Sequence, residues 1–244
     1  MDGRFSAILF DKDGTLFDFD ETWASVAEAV LHELTEDAGL RAELARLGGY
    51  DPEGRKFAAG AVMVAGSLRE IAELWAPHLP RHDVAEIEVI ADRVAVEAST
   101  SGALTPAVPD LPALLAELRG LGYRLGIATH DSHASTMVQI RTVGVHDGFD
   151  FVAGYDSGHG LKPDPGMLMA FARQVGVAPG DVVMVGDSVG DLAMVEAAGA
   201  GLAVGVLSGP AAHDELAPHA DHMLTSIGDL PGLLGRAKAR VRSF

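Results

Sequence analysis

The chain has 244 residues, 48% hydrophobic and 22% charged, a globular composition that can bury a sizeable core in one domain, with or without an insertion. A formal net charge of -17 excludes a nucleic-acid-binding surface, which needs clustered Lys and Arg, and the lack of cysteine excludes disulfides, thiolate catalysis and Cys-based zinc sites. The same field repels a small phosphorylated molecule, so any phosphate site in this chain has to carry its own local positive charge.

The start, Met1-Asp2-Gly3-Arg4-Phe5, has no basic region leading into an apolar stretch, so no secretory leader is expected. Residues 6–10 (Ser-Ala-Ile-Leu-Phe) read as a buried strand running into the tight loop Asp11-Lys12-Asp13-Gly14-Thr15. Residues 19–99 carry helical periodicity, as in Trp23, Val26, Ala27, Val30 and Leu34, and no strand pattern. An ordinary crossover needs about a dozen residues. This stretch of roughly eighty is therefore an inserted helical subdomain, with Trp23 and Trp75 in its core. Within it, Arg55 and Lys56 follow the turn-like Tyr50-Asp51-Pro52-Glu53-Gly54 and are candidate anion-binding residues.

After the insertion, helical patterns at 111–121, 135–143, 165–175 and 191–198 alternate with apolar runs at 125–129, 149–153, 181–185 and 202–206. Runs this continuous fit strands buried on both faces, so the expected fold class is α/β, a Rossmann-like parallel sheet flanked by helices. The most apolar window, 197–212, is broken by Gly199, Gly201, Gly205, Gly209 and Pro210 and falls short of a membrane span. A cytoplasmic protein is the expectation.

Ligands of open parallel sheets bind beyond the carboxyl ends of the strands. The polar residues there are Asp11 and Asp13 after the first strand, Thr129 and His130 after the second, Lys162 in a loop after the third, and Asp187 with Asp191 after the fourth. Clustered carboxylates repel one another unless a cation sits among them, and a hard divalent ion with oxygen ligands, magnesium above all, suits such a set. With Thr129 and Lys162 on the phosphate oxygens, Asp11 can attack phosphorus while Asp13 shuttles the proton, and Gly14 permits the sharp turn that aims backbone N–H groups at the phosphate. His130-Asp131 and His133 suggest a metal site less strongly, because the His-Asp pair recurs at His82, His146 and His213.

In order and spacing, Asp11-Lys12-Asp13-Gly14-Thr15-Leu16, Thr129, Lys162-Pro163 and Gly186-Asp187-Ser188-Val189-Gly190-Asp191 resemble the four motifs of the haloacid dehalogenase superfamily, and most of all its phosphoglycolate-phosphatase-like branch. The resemblance implies a core formed by 1–18 and 100–244, and a helical cap, 19–99, that closes over substrate. It implies Asp11 as nucleophile and metal ligand, Asp13 as general acid/base and ligand through its backbone carbonyl, and Asp187 as the remaining direct ligand, with Asp191 supporting it. Thr129, His130 and Lys162 become the phosphate-binding set, Mg2+ the cofactor, and a small phosphorylated metabolite the partner. An acid at position 13 speaks for phosphate-ester hydrolysis or phosphosugar mutase chemistry, since the dehalogenases and phosphonate-cleaving members lack it. His130 stands where Asn is frequent. A phosphoryl-accepting receiver is disfavoured by the second acid and the cap, and an ion-pumping ATPase by Asp13 in place of Thr. Neither nucleic acid nor membrane is expected as a partner, and monomer and homodimer stay open.

Overall fold

The apolar runs pair into one six-stranded parallel sheet in a computed structural model that describes residues 5–100 and 104–241. Its strands are β1 (Ala7–Phe10), β4 (Arg124–Ala128), β5 (Phe151–Ala153), β6 (Val182–Gly186), β7 (Leu202–Val206) and β8 (His222–Leu224), in the order β5-β4-β1-β6-β7-β8. β1 is central, with Phe10 in register with Ile127 on one side and Val185 on the other. The order therefore switches at β1, and the carboxyl ends of β1, β4 and β6 lie side by side. β8 adds a sixth strand to the five expected; its three half-buried residues at the sheet edge carry no apolar run long enough to read.

Strand side chains alternate between two cores. Ile8 and Phe10 pack with Leu125, Ile127, Val183 and Val185 against α6 (Leu111–Gly120), α7 (His133–Thr142) and α11 (Leu230–Val241). Ala7, Leu9, Val182 and Met184 face α8 (Gly166–Val175), α9 (Val189–Ala198) and α10 (His213–Leu216). Both faces are thus covered by helices, as their unbroken hydrophobicity requires.

The stretch after β1 builds a third core of its own. It consists of α1 (Phe19–Leu34), α2 (Ala38–Gly48), α3 (Val62–Ala65), α4 (Leu68–Trp75) and α5 (Val84–Thr100). It is not all-helical, which corrects the sequence reading: β2 (Tyr50–Asp51) and β3 (Lys56–Phe57) form a two-stranded antiparallel ribbon. Two residues per strand are too few for alternation to show, and the ribbon is held by packing of Tyr50 and Phe57, rings 4.7 Å apart. The segments entering and leaving the stretch run together, with Asp18 N donating to Thr105 O and Ala107 N to Leu16 O. The expected core segments include 1–4, 101–103 and 242–244, which lie outside the described residues.

Candidate active site

Asp11 leaves the end of β1 with its N–H on Val185 O (2.8 Å), so its carboxylate stands at the seam between β1 and β6. Gly14 closes the following turn at φ +86°, and its N–H reaches Phe17 O (2.7 Å). Lys162 Nζ donates to Asp11 Oδ1 (2.5 Å) and Asp191 Oδ1 (2.6 Å). Thr15 Oγ1 donates to Asp187 Oδ1 (3.0 Å). Thr129 Oγ1 accepts from Asp131 N (3.1 Å), which leaves its own hydrogen to donate elsewhere. Asp191 also completes the capping box of α9: Ser188 N and Oγ donate to its Oδ2, while Asp191 N donates back to Ser188 Oγ.

Asp11, Asp187 and Asp191 can each offer one oxygen such that the three lie within 4.8 Å of one another, all buried. Burial pushes Asp11 up to about 7 against the pull of Lys162, with Asp191 and Asp13 adding to the rise. Burial, then Asp11 and Asp191, holds Asp187 well above the usual carboxylate range. Burial depresses Lys162, but Asp11 and Asp191 outweigh it and its pKa ends above the ordinary value. One ammonium thus faces three carboxylates, a deficit of positive charge in a low-dielectric site. An all-oxygen donor set with such a deficit fits a hard divalent cation, and because Asp191 is already committed to Lys162 and Ser188, Asp11 and Asp187 are the carboxylates that can take it.

A second buried cluster lies beside the first. Lys12, fully buried, donates to Asp13 Oδ1 (2.7 Å) and Gln139 Oε1 (2.5 Å), pairs with Asp131 at 3.4 Å, and sits 5.2 Å from the Trp23 ring centroid. Gln139 Nε2 in turn donates to Asp131 Oδ2 (3.2 Å). Lys12 and Thr15 stand in the first motif without an expected role, and Gln139 stands in none of the four. Strand alternation was the available signal for Lys12, since it continues the parity of Ile8 and Phe10 into the interior. For Gln139 it was the spacing of four from Ser135 on α7, a polar pair on a buried helix face.

A cavity of about 310 Å³ opens over these residues, and its floor includes Asp11, Asp13, Thr129, His130, Lys162 and Asp187. His130 Nε2 accepts the N–H of Lys162 (3.0 Å), so it positions the lysine loop as well as facing the cavity. Arg55 and Lys56, the candidate anion-binding residues, do not line this cavity. Both are exposed: Arg55 is bound to Glu28 (2.6 Å) and Ser25 (2.9 Å), and Lys56 to Asp20 (2.5 Å). Asp20 and Glu28, both on α1, neutralise them. Trp23 and Trp75 pack with the third core, as expected, and also reach the cavity wall.

A family model for haloacid dehalogenase-like hydrolases matches residues 5–199. The chain is 31% identical over 205 residues to a phosphoglycolate phosphatase of Neisseria meningitidis, covering 83% of this chain and 80% of that protein. It is 28% identical to a phosphoglycolate phosphatase of Cupriavidus necator, over 96% of this chain and 94% of the relative. Among solved structures it resembles CbbY from Rhodobacter sphaeroides in complex with phosphate, with TM-score 0.70, 24% identity and 93% and 96% of the two chains covered. A hydrolase from Pseudomonas syringae aligns with TM-score 0.68 and 19% identity over 96% and 99%.

Proposed function

The chain belongs to the haloacid dehalogenase-like hydrolases, and on that premise we propose that it is a phosphatase that cleaves a small phosphate monoester through a phosphoryl group carried on Asp11. The observation that carries this reading is Asp11 at the floor of the cavity, with Lys162 Nζ 2.5 Å away and Asp187 and Asp191 beside it.

In the first step Asp11 attacks phosphorus, and the bond from phosphorus to the alcohol oxygen breaks. Asp13 gives its proton to the departing alkoxide. Lys162 and the Thr129 hydroxyl hold oxygens of the moving phosphoryl group, and His130 keeps Lys162 in place through the loop backbone. In the second step Asp13 takes a proton from water, the water oxygen attacks phosphorus, and the bond to Asp11 breaks, restoring its carboxylate. Asp11, the backbone carbonyl of Asp13 and Asp187 would hold the divalent cation, which supplies positive charge to the phosphoryl oxygens; magnesium is the ion proposed. Residues 19–99 act as the cap that excludes water while the ester is bound.

Asp11→Asn keeps the shape but removes the nucleophile, so magnesium-dependent phosphate release should fall by at least about a thousandfold, which malachite-green detection of free phosphate checks. Wild-type turnover by that variant on every ester tried would sink the reading. The relatives' names make 2-phosphoglycolate the first ester to try. A mutase would return phosphate to a sugar, and scoring isomerised hexose phosphate against free phosphate in the same assay separates the two.

A further inference from the structure

The wall of the cavity opposite the carboxylates is built from residues 19–100, and each of its side chains is apolar. Phe19, Trp23, Phe57, Met63, Ile71 and Trp75 are its larger members. Trp75 ties its indole N–H to Leu44 O (3.0 Å) and turns only its ring to the cavity; the Trp23 N–H is buried without a partner, and neither ring brings a positive charge. No Lys or Arg of this part of the chain lines the cavity: besides Arg55 and Lys56, Arg69 pairs with Glu73 and Glu88, Arg93 pairs with Glu97 and Glu33, and Arg41, Arg46 and Arg81 also lie away from it. The one ammonium on the floor, Lys162, is already shared by two carboxylates. Where the wall meets the sheet domain, Asp92 accepts from Ser132 Oγ (2.5 Å) and Glu88 from Tyr155 OH (2.6 Å); the cations there are already paired, Arg69 with Glu88 (3.7 Å) and Lys12, beside the Trp23 ring, with Asp13 and Asp131.

Resting on the phosphatase reading above, we infer that the preferred substrate is a phosphate monoester of a neutral, carbon-rich alcohol, alkyl or aryl, rather than one bearing a second anion. The phosphoryl end meets Lys162 and the cation site. A carboxylate or second phosphate on the other end would be driven into an apolar wall with no counter-charge, in a chain of net charge -17. An alkyl or aromatic group there is instead stabilised by removing its own surface and that of the wall from water. The volume of about 310 Å³ is that of a ligand cavity, far more than a two-carbon acid fills.

The test compares kcat/KM, with magnesium, for ethyl, butyl and hexyl phosphate, 1-naphthyl phosphate and 2-phosphoglycolate. The expected result is a rise of roughly threefold per added methylene and hexyl or naphthyl phosphate above 2-phosphoglycolate. Phosphate release with a flat or inverted series, or with 2-phosphoglycolate preferred, overturns this inference and leaves the phosphatase reading standing. No release from any ester overturns both. Binding is read independently, because both of the chain's tryptophans line the cavity. Their fluorescence should report hexylphosphonate at a Kd about tenfold or more below that of phosphonoacetate, and the reverse order counts against the proposal. Met63→Arg, which places a cation in the wall, should move the ratio of 2-phosphoglycolate to hexyl phosphate kcat/KM up by about tenfold; an unchanged ratio in a variant of normal Tm counts against the wall as the selector of the substrate's organic end and overturns the proposal.

Discussion

Lys12 shows how one side chain can stabilise a site without entering the reaction. It is 0% exposed, its pKa is raised above the ordinary value because Asp13 and Asp131 outweigh the opposing effect of burial, and its departure would strand both carboxylates. Lys12→Met keeps the aliphatic stem but leaves Asp131 buried without its counter-charge, where burial already raises its pKa. Breaking a buried pair from one side costs about 3–5 kcal/mol, so urea unfolding should show a loss of that order. The double variant Lys12→Met with Asp131→Asn should recover part of it; a strictly additive loss would mean the two residues are not coupled. Asp11, Asp13, Thr129, Lys162, Asp187 and Asp191 were legible from their places after apolar runs, because strand ends converge. Lys12 and Gln139 were not, since a buried lysine is recognised only once all its partners are placed, and besides the adjacent Asp13 these are Asp131 and Gln139, far along the chain. The pairing of Arg55 with Glu28 and of Lys56 with Asp20 was hidden for the same reason, since both acids lie on α1, more than twenty residues earlier.

At the scale of elements, strands that are apolar throughout declared themselves, whereas those defined by two or three residues did not. β2, β3 and β8 exist because neighbours pair with them, as Val204 does with His222, and local pattern carries no trace of that. The loop after β7 is a further case. Ser208 Oγ donates to Gly14 O (2.7 Å), and a Cβ on Gly209 would stand 1.8 Å from Asp187 Oδ2. Glycine is therefore required there by the close approach of backbone to the Asp187 carboxylate, and this loop fixes where Asp187 points. Gly209→Ala should displace Asp187, raising the magnesium concentration for half-maximal activity about tenfold or more while costing roughly 1–3 kcal/mol of stability. A magnesium titration of activity beside a thermal melt checks both, and an unaltered magnesium curve would detach this loop from the metal site.

For the whole molecule, the charge deficit at the floor of the cavity is a folding problem that bound protons or the proposed cation would resolve. Burial first, and the neighbouring carboxylates after it, raise Asp11 to about 7 and Asp187 well above 3.8. Between 3.8 and the folded value the native state binds more protons than the unfolded chain, so stability falls as pH rises through that window. Asp150 and Glu70 have lowered values and the opposite sign, but their contribution is lost only as pH falls below the ordinary carboxylate range. Without metal, in EDTA, Tm should therefore rise on going from pH 8 to pH 6. The part due to Asp11 is on the order of 1 kcal/mol, or roughly 2–4 °C for a chain of this size. Asp11→Asn should flatten that slope, since the amide cannot ionise. The proposed divalent cation would take the place of the proton, so magnesium should stabilise the wild type more at pH 8 than at pH 6. Equal magnesium stabilisation at the two pH values, or an Asp11→Asn slope as steep as the wild type's, would mean that Asp11 and Asp187 do not bear the unpaired charge assigned to them.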